Sequence, residues 1–208
     1  MTCGVPAGVA THQDIADRVL REHGTTYAED AGITLRDEPA PLYQLLVLTT
    51  LASTRISADL AVAAARELFY AGWRTPERLL ASTWRQRVDA LGRAHYKRYD
   101  ESTATKLEES ARHLEETYRG DLRALRPSSP DGADELADAI ADFPRIGPVG
   151  ARIFVREVQD VWGLAPFLDE KALAAAGELG LPTDPRRLAE LAPRGQVARL
   201  AAAVVKAV

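Results

Sequence analysis

"FPRIGPVGARIF", residues 143–154, decides how the chain is read. Pro144 follows an apolar residue, Gly147, Pro148 and Gly150 crowd the next few positions, and an apolar run of helical character comes after them. Gly147 and Gly150 flank the corner, and glycine allows backbone shapes that a side chain blocks. Upstream, "DELADAIADF" reads as a helix; downstream, "GARIFVREVQDVW" does too, with Ile153, Val158 and Val161 among its apolar positions. The spacing predicts two helices joined by a hairpin over about residues 134–160. Small residues keep such a hairpin clear of side chains. Amides at the start of the second helix are then left without partners, with the helix dipole behind them, and a phosphate satisfies them. A plain turn between packed helices has the same composition, so on these residues alone both readings stand.

Outward from the hairpin the pattern is helical throughout. Thr11 and Asp14 form a capping-box pair, and the helix they open runs to Gly24. "EPAPLYQLLVLTTLAST" is apolar nearly all round, as a central buried helix is. "SADLAVAAARELFYAG" is amphipathic and closes at Gly72; Thr75 caps the next helix with Pro76 at its first position. "STWRQRVDALG" is a short helix ending at Gly92, and "TATKLEESARHLEETYRG" a long one with a charged outer face. "RAHYKRYDES" and "RPSSPDGADE" read as loops, and residues 171–208 as two or three Ala/Leu-rich helices, one opening at Asp184-Pro185. No alternating strand pattern of useful length is present, so the expected fold class is all-α.

The 208 residues suffice for one large domain or two small ones, and 46% apolar with 27% charged residues is ordinary globular composition. A net charge of −4 argues against indiscriminate binding to polyanions, although amides that hold a phosphate need no net positive charge. Cys3 is the single cysteine, which excludes an internal disulfide, a Cys-rich zinc site and a cysteine-ligated iron–sulfur cluster in this chain. The histidines at 12, 23, 95 and 113 are scattered, without metal-ligand spacing, and no cofactor is expected. "MTCGVPAGVATHQD" lacks the features of a signal peptide, and no apolar stretch is long enough for a membrane span. A cytoplasmic protein is expected.

"LADAIADFPRIGPVGARIF" followed by "PFLDEKALAAAGELGL" resembles the helix–hairpin–helix DNA glycosylases of the endonuclease III type. That family's hairpin reads Leu-Pro-Gly-Val-Gly-x-x-x-Ala, where this chain has Phe143-Pro144-Arg145-Ile146-Gly147-Pro148-Val149-Gly150-Ala151. Its apolar-Asp segment corresponds to Phe167-Leu168-Asp169, and "PLYQLLVLTTLASTRISADLAVAAARELF" is similar to its first barrel helices. The resemblance spans roughly residues 40–182 and is carried by the order and spacing of the motifs. Three departures stand out. Val149 occupies the place of the lysine that bifunctional members use for a Schiff base, Arg145 replaces a hairpin glycine, and the four-cysteine cluster loop is absent. The resemblance implies two helical lobes, residues 43–142 and residues 1–42 with 143–208, and a DNA groove between them. It implies a monomer that acts on duplex DNA, associated with the nucleoid, and a monofunctional glycosylase of base excision repair. A DNA- or lesion-binding module without catalysis is the alternative.

Asp169 is the candidate catalytic residue, since in monofunctional members the corresponding carboxylate stabilises the sugar cation or activates water. "DEKAL" is equally a helix start, for which Asp is a preferred cap. The candidate DNA contacts are Arg145, Ile146, Gly147, Pro148, Val149 and Gly150 of the hairpin, Lys171, and Arg55 in "ASTRISAD", placed where the family fills the gap left by an extruded base. Lys171 also reads as a solvated surface lysine or a displaced amine nucleophile, and Arg55 as an ordinary surface residue. "RAHYKRY", residues 93–99, mixes basic and aromatic residues, as a loop that tracks phosphates and stacks on bases does; a polar interhelical loop is the other reading.

Overall fold

The structure is a computed structural model that describes residues 10–208; Cys3 lies outside the described residues. Local capping chemistry sets most helix starts. In α1 (His12–His23) the Thr11 hydroxyl accepts from the Asp14 amide and the Asp14 carboxylate accepts from the Thr11 amide. Thr26 and Glu29 repeat the arrangement at α2 (Tyr27–Asp30), a single turn that the sequence pattern does not predict. In α3 (Pro39–Ala52) every residue from Leu42 to Leu51 is buried, which is why its sequence shows no polar face. Ser57 caps α4 (Ala58–Tyr70), Thr75 caps α5 (Pro76–Leu80) with Pro76 at its first position, and Thr83 caps α6 (Trp84–Arg93). Helix α6 runs one residue past Gly92, and α7 (Asp100–Tyr118) begins ahead of the expected "TATK" start.

A 3-10 turn (Leu122–Leu125) leads to α8 (Ala133–Ala141) and α9 (Gly147–Trp162), followed by α10 (Glu170–Glu178), α11 (Pro185–Ala189) and α12 (Val197–Lys206). Among the described residues there is no strand, and no helix is long and apolar enough to cross a membrane.

Helix α3 is the hub. It packs against α4, α7 and the 3-10 turn, and also against α9. Helices α4 to α7 pack on one another, while α12 gathers α1, α9 and α10. Helix α8, sequentially inside the expected 43–142 lobe, packs along α9. One apolar cluster runs through both groups of helices.

Arg87 is fully buried within the first group. Its guanidinium donates to the carbonyls of Ala104 (3.2 Å) and Ser82 (2.9 Å) and pairs with Glu108, joining α6 to α7 and to the end of α5.

Candidate functional site

The hairpin is built from two left-handed residues. Arg145 has φ 63° and Gly147 φ 67°, which explains why glycine suits either position and why an arginine at the first carries strain. Gly150 has a different task. A Cβ there would lie 2.0 Å from the Ser53 hydroxyl oxygen and 3.1 Å from the Thr49 carbonyl oxygen, so its missing side chain lets α9 press against α3. Ile146 and Gly150 are both buried, so of the expected hairpin contacts they belong to packing, and Arg145, Pro148 and Val149 form the exposed rim beside the partly covered Gly147. No side chain caps the start of α9. Arg145 reaches the carboxylate of Glu109 on α7 at 3.2 Å, an exposed pair of small energetic weight.

Beside the hairpin lies a cavity of about 150 Å³, where α3, the start of α4, α9 and the start of α10 meet. Val149, Asp169 and Lys171 all line it, so the structure brings three of the sequence-derived candidates to one place. Asp169 is the N-cap of α10: Oδ1 accepts from the Ala172 amide at 2.9 Å. Its Oδ2 accepts from Arg156 Nη1 at 2.7 Å, and both side chains are more than nine-tenths buried. The carboxylate thus holds the helix start and a buried cation together. Lys171 is exposed at the cavity wall, and Val149, 66% exposed, carries its branched apolar side chain at the hairpin edge.

Arg156 and Tyr27 complete the polar side of the cavity, and sequence reading did not single out either. The signal for Arg156 was present: it falls three residues after Ile153 and seven after Val149, on one face of α9. The guanidinium sits over the Tyr27 ring at 5.5 Å, and Lys206 Nζ lies 4.9 Å from the same ring. Burial raises the Tyr27 hydroxyl above the ordinary phenol range, opposed by the charge of Arg156. Next in the chain, Glu157 is buried and accepts from the Ala28 amide at 2.9 Å, fixing α9 to α2; burial pushes its carboxyl up.

Arg55 is exposed on the turn between α3 and α4, whose next residues, Ile56 and Ser57, line the cavity. The loop at 93–99 divides. Tyr96 is 1% exposed, and its hydroxyl shares a 2.8 Å hydrogen bond with Thr54, so this ring is core and cannot stack on a base, whereas Lys97 and Arg98 are exposed.

No family model matches the sequence, and no curated protein matches it significantly. Solved structures do. A non-covalent endonuclease III–DNA complex superposes with a TM-score of 0.55 at 19% identity, covering 95% of this chain and 85% of its own. A trapped endonuclease III–DNA covalent intermediate gives 0.54 at 16% identity with the same coverages. A thermostable thymine-DNA glycosylase gives 0.52 at 17% identity, covering 93% of this chain and 87% of its own. This chain has the endonuclease III fold. At these identities the likeness is one of architecture, and the chemistry has to be argued from the residues placed on it. Within the 208 residues one cysteine cannot supply a four-thiolate cluster, and among the described residues no group of three or more His, Cys, Asp or Glu is placed to hold a metal ion. On this endonuclease III fold the polar chemistry at the cavity consists of Asp169, Arg156, Lys171, Tyr27 and Ser57.

Proposed function

We propose that the chain is a monofunctional DNA glycosylase of base excision repair, which draws a damaged or mismatched base out of duplex DNA and hydrolyses its N-glycosidic bond. The observation that carries this reading is the meeting of the hairpin helix and Asp169 at one cavity within an endonuclease III fold. When the C1′–N bond breaks, its electron pair leaves with the base and the sugar becomes cationic. A carboxylate at the cavity edge stabilises that charge and takes a proton from the water that attacks C1′. Asp169 accepts one hydrogen bond at each oxygen, and each oxygen has a further lone pair to offer. Val149 offers no amine, so no Schiff base forms at the hairpin and the abasic strand stays whole.

The two helix groups act as lobes around a monomer's DNA groove. Arg145, Gly147, Pro148 and Val149 lie against a phosphate, Lys171 meets a second one, and Arg55 enters the space left by the extruded base.

Duplexes with single uracils, oxidised pyrimidines, alkylated purines or mismatches test this reading, with and without alkali. Base release with strand breaks only after alkali is expected. Breaks without alkali would defeat the monofunctional assignment and direct attention to Lys171. The contacts of Asp169 favour a second reading, since cap and ion pair account for its carboxylate without a reaction. A duplex-binding module is its outcome: binding to every duplex and release from none.

A further inference from the structure

Arg156 carries an unsatisfied donor. Its side chain is 3% exposed, Nη1 is engaged by Asp169, and Nε is buried without any partner in the protein. Nη2 likewise makes no hydrogen bond among the described residues but, unlike Nε, is not sealed off; on a side chain that lines the cavity it is the donor open to an acceptor that arrives with a ligand. The remaining lining is largely apolar, from Leu48, Ala52, Ala61, Val62 and Ile153. An apolar cavity of about 150 Å³ is the size that takes one six-membered aromatic ring.

Resting on the glycosylase reading above, we propose that Arg156 is the specificity-determining residue of the cavity, donating a hydrogen bond to a ring carbonyl of a single-ring base. The guanidinium is pre-positioned for this. Asp169 holds one nitrogen and the guanidinium carbon sits over the Tyr27 ring, so little rotational freedom is lost when the base arrives. Lys171, at the same wall, is exposed and hangs on a flexible stem, which suits a phosphate better than a base edge. Asp169 and Arg156 thus form one unit. The carboxylate serves the sugar, and the cation it holds reads the base attached to that sugar.

Two carbon-linked nucleosides test this with no bond to cleave: 2′-deoxypseudouridine, whose ring has two carbonyls, and a difluorotoluene deoxynucleoside of similar shape with none. Each is placed opposite guanine in the same duplex, and binding is measured by fluorescence anisotropy. Difluorotoluene pairs poorly with guanine but stacks well, so the cavity is reported by the change in the pseudouridine preference between the unaltered chain and an Arg156 variant, in which these duplex terms cancel. The preference of the full chain is expected to exceed that of Arg156→Met about 10-fold or more, as a charged hydrogen bond provides. If that variant does not fold, Arg156→Lys replaces it, keeping a cation for Asp169 while losing the second donor of the fork. A preference unchanged in the folded variant overturns the role of Arg156 and leaves the glycosylase reading intact. If neither modified duplex binds more tightly than a fully paired one, no base enters the cavity and the inference falls. If no duplex binds at all, the proposed function falls with it.

Discussion

At the scale of single residues, Asp169 and Arg156 have to be treated as a pair. Replacing Asp169 by Asn keeps an oxygen for the Ala172 amide, and Asn is as good a cap as Asp. It removes the charge opposite a buried guanidinium, and uncompensated buried charge is expensive. Asp169→Asn is expected to lower stability by about 3 kcal/mol, read from the urea midpoint, and to abolish base release at temperatures where the variant is fully folded. Base release at the unaltered rate from the folded variant would remove Asp169 from the chemistry. In the sequence Asp169 was legible as a cap because a helix start is a local pattern, and as a candidate for chemistry through the family resemblance. What holds the carboxylate was not legible, because Arg156 lies 13 residues away and meets it only once α9 and α10 pack.

At the scale of the hairpin, its two glycines separate by physical cause. Gly147 needs its positive φ and has open space around its Cβ position, so Gly147→Ala is expected to cost about 1 kcal/mol of conformational strain. Gly150 has no unusual backbone and little room, so Gly150→Ala displaces the Ser53 and Ile146 side chains and crowds the Thr49 carbonyl, and is expected to cost about 1–3 kcal/mol. Thermal melts rank the two, and a Gly150→Ala variant as stable as the parent would show that the helix contact is loose. Arg145 combines a strained backbone with a charge at the exposed rim. Arg145→Gly relieves the strain and leaves the fold no less stable. It also removes one cation, so the slope of log affinity against log salt for a duplex is expected to shrink by about one. An unchanged slope would mean that Arg145 faces Glu109 and not DNA. The hairpin was legible from composition, but the division of labour within it was not. Whether a glycine serves dihedral freedom or close approach depends on what lies across from it, here Thr49 and Ser53, about a hundred residues earlier.

At the scale of the whole molecule, helix caps and periods made most of the fold readable, and contacts between distant segments were the part that stayed hidden. Tyr27–Asp30 is too short to show a period, and Tyr96 looks like a surface aromatic until Thr54 receives it. Glu157 belongs with these. It reads as one more charge on a helix, yet it is buried, and its acceptor for Ala28 joins α9, which lines the cavity, to α2, which carries Tyr27. Burial raises its pKa from the ordinary 4.5, with Arg156, Lys206 and the amides of Ala28 and Tyr27 opposing. A carboxyl whose folded-state pKa lies above its unfolded value binds its proton more tightly when folded. The stability it contributes is complete below about pH 4.5 and is lost as pH rises through the folded-state value. Glu157→Gln keeps an acceptor for Ala28 and has no charge to bury. Relative to the parent, the Gln variant is therefore expected to gain stability steadily as pH rises from 4.5 toward neutrality, measured from urea midpoints at each pH. A difference that stays flat across that range would mean that Arg156 and Lys206 compensate the ionised carboxylate in full.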